Sequence, residues 1–153
     1  MPPAAGHGTS PAWVASGLRL AVNRLARRLR QQAVGEQITA SQLSALASVA
    51  LNSPVSLGEL AAIEKIAPPS MTRIAARLEE AGWVERKPDA GDRRVARVAI
   101  TEAGENLLAE TRSRRDQFLA ERLSGLSPDE LAVLEAAVPL LARLAEEDPT
   151  PDI

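Results

Sequence analysis

The chain has 153 residues, one histidine, no cysteine and a formal net charge of −2. This length suits one domain with extensions, and the lack of cysteine excludes disulfide frameworks and thiol redox sensing, while a lone histidine makes a metal site or cofactor unexpected. No apolar run reaches the ~18 residues of a membrane span, so we expect a cytoplasmic protein without membrane association.

Charge is distributed unevenly along the chain. Residues 1–35 carry five arginines and no acid, whereas residues 126–153 carry one arginine and seven acids. Such separation is expected when only one face of a protein meets phosphate groups, so the small net charge does not argue against nucleic-acid binding.

The N-terminal third predicts two helices after a disordered tail over residues 1–10. Apolar residues recur at helical spacing from Trp13 to Ala33 and indicate a long amphipathic helix. A second helix is predicted to open with a capping box at Thr39 and Gln42 and to end before Pro54.

Residues 56–100 carry the most informative pattern. A helix is predicted over Ser56–Ile63 and a second over Pro68–Gly82, with Ala67 as a weak cap. A basic hairpin follows, with a strand over Trp83–Lys87, a turn through residues 88–94, and a return strand to Ile100. This order is that of a helix-turn-helix with a wing. Because a helix fits the major groove and a basic hairpin can reach the minor groove beside it, DNA binding is the leading hypothesis.

Two further helices complete the predicted fold. One runs from Thr101 to about Ser124, and the other opens with a capping box at Ser127 and Glu130. The first, fifth and sixth helices each carry an apolar stripe that the small winged module cannot cover, so we expect them to pack across two chains. The fold class is therefore mainly α, with a winged helix-turn-helix module at 37–101 and a helical dimerisation region at 11–36 and 102–148, followed by a tail at 149–153.

Several motifs resemble those of the MarR family of bacterial transcription regulators. They include Leu57-x-Glu59-Leu60-Ala61, Met71-Thr72-Arg73, Asp92-Arg93-Arg94 and Thr101-x-x-Gly104. The resemblance covers roughly residues 12–146 and implies a homodimeric regulator, often a repressor, that grips a pseudo-palindromic double-stranded DNA operator. It also implies release by a small anionic aromatic compound bound where the dimer helices meet the winged module.

Candidate DNA contacts lie on the second helix of the helix-turn-helix and on the wing. Arg73 and Arg77 are four residues apart and share a face, where arginine can bind guanine bidentately; an alternative is a solvated surface with an ion pair to Glu80. We predict the following DNA-binding residues: Ser41, Pro69, Ser70, Thr72, Arg73, Arg77, Arg93 and Arg94. Asp92 is expected to pair with an arginine and fix the shape of the wing.

Two residues of the first helix are candidates for effector binding. Trp13 could line a pocket or close the dimer core, and Arg24 could pair with an effector carboxylate or lie free at the surface. No catalytic constellation is visible, so we do not expect an enzyme. The main alternative is a helical dimeric interaction protein whose winged module binds protein, but Ala67–Leu78 holds two arginines and no acid, which favours DNA.

Overall fold

The computed structural model describes residues 10–33, 37–92 and 95–146. Residues 1–9 of the predicted tail over 1–10, and the predicted tail over 149–153, lie outside these ranges. Within them the chain forms six α-helices and three β-strands: α1 (Pro11–Ala33), α2 (Ala40–Asn52), β1 (Val55–Ser56), α3 (Leu57–Glu64), α4 (Pro68–Glu80), β2 (Val84–Pro88), β3 (Ala96–Ile100), α5 (Glu102–Leu123) and α6 (Pro128–Ala145). The prediction of a mainly helical fold with a winged helix-turn-helix is confirmed.

Local hydrogen bonding determines where most helices begin. The capping boxes predicted for α2 and α6 are present, and a third opens α3, where the Ser56 hydroxyl accepts from the Glu59 amide at 3.2 Å. Ala67 precedes α4 without a side-chain cap, and Pro68 occupies its first turn. Ser10, which the sequence analysis assigned to the tail, accepts from the backbone amides of Trp13 and Val14 at the start of α1.

The sheet has a third strand that the sequence analysis did not predict. Its order is β1-β3-β2 with both pairs antiparallel, and Val55 lies opposite Val98 while Ser56 lies opposite Arg97. The predicted hairpin is confirmed as β2 and β3, with Val84 opposite Ile100. Pairing with β1 fixes the base of the wing to the loop that precedes α3.

The described chain divides into two compact units, one up to Asp116 and one from Gln117 onward. The first unit holds the hydrophobic core, in which α2, α3, α4 and the sheet bury Leu46, Leu60, Met71 and Leu78. Gly104 in α5 belongs to this packing, because a Cβ there would overlap the carbonyl oxygen of Trp83. In the second unit, α6 buries no side chain.

Candidate nucleic-acid interface

Helix α4 is held by one face and presents the other to solvent. Met71, Ala75 and Leu78 are buried in the core, while Arg73 and Arg77 are exposed. The helical period puts the buried and exposed sets on opposite faces. Helix α4 is therefore anchored in the core by one face, while its outer face is polar and carries Arg73 and Arg77 ahead of Glu79 and Glu80 at its end.

The hydroxyls and arginines predicted on α4 make local contacts in the absence of DNA. The Thr72 hydroxyl donates to the carbonyl of Pro68 at 3.0 Å, and Arg73 donates to the Ser70 hydroxyl at 3.3 Å. Arg77 pairs with Glu80 at 2.9 Å, which is the neighbour pair considered in the sequence analysis. The exposed Pro69 lies in the first turn of the same helix.

The N-terminus of α2 and the outer face of α4 line a common groove. The groove has a volume of about 290 Å³ and brings Ser41, Ser70, Arg73 and Arg77 together. Helix N-termini with free amides attract phosphate oxygens, and arginine guanidinium groups bind them. Four of the eight predicted DNA-binding residues thus share one surface of suitable chemistry.

The wing is joined to the helix-turn-helix by two ion-pair connections. Arg86 of β2 binds Glu79 of α4 at 2.8 Å. Arg97 of β3 binds Asp89 in the wing turn and Glu59 of α3. Arg93 and Arg94 lie outside the described residues, so their contacts with DNA stay a prediction.

The side chain that shapes the described part of the wing turn is Asp89. Its carboxylate accepts from the amides of Gly91 at 2.9 Å and Asp92 at 3.0 Å as well as from Arg97. Sequence reasoning assigned the shaping role to Asp92, which stays a prediction, and it missed Asp89 and Arg97. An aspartate at the start of a turn that faces an arginine on the return strand could have indicated this pair.

These contacts shift the acidity of both carboxylates. The Arg97 guanidinium and the two turn amides lower the pKa of Asp89 from 3.8 to about 2. Hydrogen bonds from Ser56 and the charge of Arg97 lower the pKa of Glu59, and Asp89 in turn raises the pKa of Arg97. All three groups therefore stay charged at neutral pH.

The two predicted effector residues do not share a site in the structure. Trp13 is 76% exposed, and Arg24 is exposed on the same helix beside Arg27, Arg28 and Gln31. Eleven residues separate Trp13 from Arg24, which is about 16 Å along a helix axis. Their role in binding an effector stays a prediction.

The described parts of the chain hold neither a cluster of metal-ligating side chains nor a membrane-spanning helix. No group of three or more potential metal-ligating side chains lies close together in residues 10–33, 37–92 and 95–146. Over the same ranges, no helix is both long enough and apolar enough to cross a membrane.

Comparison with known proteins gives a consistent result. The MarR family model matches residues 38–96. An HTH-type transcriptional regulator of Mycobacterium bovis is 41% identical over 140 residues, covering 92% of this chain and 98% of that protein. The HTH-type transcriptional repressor MdtR of Bacillus subtilis is 30% identical over 111 residues, which is 72% of each chain.

The fold comparison agrees with these relatives. A crystal structure of a transcriptional regulator from Pseudomonas aeruginosa superposes with a TM-score of 0.78 at 32% identity, covering 90% of this chain and 96% of that one. The winged module, the exposed arginines of α4 and these similarities together show that the chain belongs to the MarR family of DNA-binding transcription regulators and is not an enzyme.

Proposed function

We propose that this protein is a homodimeric repressor that binds a pseudo-palindromic operator, with α4 in the major groove and the wing in the adjacent minor groove. The observation that carries the proposal is the groove in which the N-terminus of α2 and the outer face of α4 place Ser41, Ser70, Arg73 and Arg77 together. Similarity to the repressor MdtR supports the repressing direction.

The exposed apolar faces of α1 and α6 support a homodimer. In the single chain α1 exposes Val14, Val22 and Leu25 along one face, and α6 exposes Val133, Leu134, Val138, Leu140, Leu141 and Leu144, several of these α6 residues by more than half. Contiguous apolar surface of this kind marks protein interfaces. A second copy of the chain would cover these faces and set two α4 helices one DNA turn, about 34–36 Å, apart.

A binding titration on DNA from immediately upstream of the protein's own gene tests the proposal. Fluorescence anisotropy should give a two-chain complex whose log affinity falls linearly with log salt concentration, by roughly 0.9 per phosphate contacted. A scrambled duplex of the same length is the control for sequence preference. An affinity that is independent of salt, or equal for both duplexes, contradicts the proposal.

A cavity between α1, α2 and α5 in the first unit supports an effector site whose lining does not include the predicted residues Trp13 and Arg24. It measures about 440 Å³, a suitable volume for a small molecule, and its lining includes Arg30 of α1, Leu43 of α2, and Leu108, Thr111 and Arg115 of α5. Thr111 is 2% exposed, and among the described residues its hydroxyl and the Nε of Arg115 are buried without a hydrogen-bond partner.

The chemistry of this lining favours an anion with an apolar body. Arg30, Arg112 and Arg115 contribute positive charge, no acid lies in the lining, and leucine and alanine side chains form most of the rest. Buried polar groups gain most from a partner that satisfies them. A ligand with a carboxylate would do so, and it could release DNA if it binds one arrangement of the winged modules better than another.

Salicylate is a suitable probe, and calorimetry with the purified protein measures its binding. We expect it to bind and to weaken DNA affinity, and we expect Thr111→Val and Arg115→Gln to reduce salicylate binding while sparing DNA affinity. Arg24→Gln is the matched control, because it removes one α1 arginine outside this cavity. Loss of salicylate binding in Arg24→Gln with no change in Thr111→Val would instead favour the site predicted from the sequence.

A further inference from the structure

Arg97 connects the wing turn to two neighbouring segments that lie about forty residues earlier in the chain. Its Nε donates to Asp89 in the wing turn, and its Nη1 donates to Glu59 of α3 at 3.2 Å and to the carbonyl of Pro54 at 3.4 Å. A planar guanidinium with five donors can hold several acceptors at fixed angles. One side chain therefore joins the wing turn, the first helix of the helix-turn-helix and the loop before β1.

On the wing side, this connection reaches the backbone of the turn. Asp89 holds the amides of Gly91 and Asp92 through its carboxylate, and its own amide donates to the carbonyl of Val95 at 2.9 Å. An isolated two-stranded hairpin is marginally stable in water. The outer wing, beyond the reach of β1, thus depends on side-chain contacts such as this one for a fixed orientation.

On the helix-turn-helix side, Arg97 binds Glu59, whose side chain is held by the capping box of α3. Glu59 accepts from the Ser56 amide at 2.9 Å as half of the capping box of α3. Ser56 is also the residue of β1 that lies opposite Arg97. Because Leu60 and Ala61, which follow Glu59, are buried in the core, the acceptor for Arg97 is held in place by packing.

We propose that Arg97 is a positioning residue for DNA binding, which holds the wing turn through Asp89 in a fixed orientation relative to α3 through Glu59. It acts on DNA affinity by ordering the wing before DNA arrives, so less conformational entropy is lost on binding. The proposal rests on the wing contact with DNA given under the proposed function.

Asp89→Asn gives the sharpest test, because its effect on charge and its effect on the order of the wing turn should change DNA affinity in opposite directions. Removing an acid near a surface that binds a polyanion should strengthen binding if charge alone matters. We expect binding to the upstream duplex to weaken by about three- to tenfold, the effect of freeing one or two ordered side chains. The matched control is Glu85→Gln, which removes the same charge from β2, where Glu85 pairs with Lys87 at 2.8 Å. This control variant should bind DNA as tightly as the wild type or more tightly.

Arg97→Lys separates the shape of the side chain from its charge. Lysine keeps the charge but is a compact ammonium that cannot reproduce the guanidinium fork. We expect Arg97→Lys to lose about as much DNA affinity as Asp89→Asn. In the free protein, amide hydrogen exchange at Asp89–Asp92 should become faster, while a cooperative thermal transition should show that the variant is still folded. Wild-type affinity in Arg97→Lys, or an Asp89→Asn variant that binds as tightly as Glu85→Gln, would overturn the proposal.

Arg94→Ala distinguishes a failure of the positioning role of Arg97 from a failure of the proposed wing contact with DNA. Weaker binding of Arg94→Ala with unchanged binding of Asp89→Asn leaves the wing contact in place and overturns only the positioning role. Wild-type affinity in Arg94→Ala contradicts the wing contact itself, and with it the basis for a positioning role of Arg97.

Discussion

Arg73 and Arg77 share the outer face of α4, but the structure predicts unequal contributions to DNA affinity. Arg73 makes a 3.3 Å hydrogen bond to the Ser70 hydroxyl, whereas Arg77 is paired with the Glu80 carboxylate at 2.9 Å. Arg77 must exchange that carboxylate for DNA, and the exposed pair that it gives up is worth about 0–1 kcal/mol. Loss of a base-reading arginine costs about 1–3 kcal/mol, or roughly 5- to 150-fold in affinity.

We therefore expect Arg73→Ala to weaken binding to the upstream duplex within that range and to reduce the preference over a scrambled duplex. Arg77→Ala should cost less, and Glu80→Gln should strengthen binding to both duplexes because it frees Arg77 and removes a negative charge. Anisotropy titrations at one salt concentration measure all three effects, and thermal unfolding checks that these surface changes leave the fold intact. A larger loss for Arg77→Ala than for Arg73→Ala, with no effect of Glu80→Gln, would refute this reasoning.

Three further predictions concern assembly and stability. Leu134→Asp places a charge on the exposed apolar face of α6 and should convert a dimer to monomers in sedimentation velocity; a wild-type monomer at micromolar concentration would contradict the dimer. The pKa of Asp89 is lowered from 3.8 to about 2 in the folded protein. The ionised carboxylate therefore stabilises the fold fully above about pH 4, and this stabilisation is lost as the pH falls through 2. In denaturant unfolding, the stability of Asp89→Asn should fall less between about pH 4 and pH 2 than that of the wild type. Gly104→Ala should destabilise the protein by about 1–3 kcal/mol, because its Cβ would meet the carbonyl of Trp83. The control Gly58→Ala has open space around its Cβ and should be neutral or stabilising by up to about 1 kcal/mol. Equal urea midpoints for the two variants would contradict the close packing of Gly104 against Trp83.

The part of the candidate groove that lies on α4 could be predicted from the sequence, because Ser70, Arg73 and Arg77 follow each other on one helix. The spacing of Arg73 and Arg77 placed them on a common exposed face, and the structure agrees. Ser41 lies on a different helix, and the packing of α2 against α4 in the core brings it to the same groove. The ion pair of Arg77 with Glu80 was likewise foreseen, since residues three apart are neighbours on a helix.

The sequence by itself determined where α2, α3 and α6 begin, because a capping box is complete within four residues. Each of the three boxes, at Thr39, Ser56 and Ser127, opens a helix in the structure. Local hydrogen bonds of this kind need no partner from elsewhere in the chain. In α2 the apolar period likewise predicted the buried face, which holds Leu43, Leu46 and Val49.

Only the tertiary structure decided the contacts between residues far apart in the sequence. The two-residue strand β1 exists because Val98 and Arg97, some forty residues later, supply its hydrogen-bonding partners. The contact of Arg97 with Glu59 of α3 depends on the same pairing. Thr111 is a polar residue, which would be expected at a solvent-exposed position of α5, yet the packing of α5 onto the core buries it at the cavity. Such contacts arise when the core brings distant segments together, and no pattern within one segment encodes them.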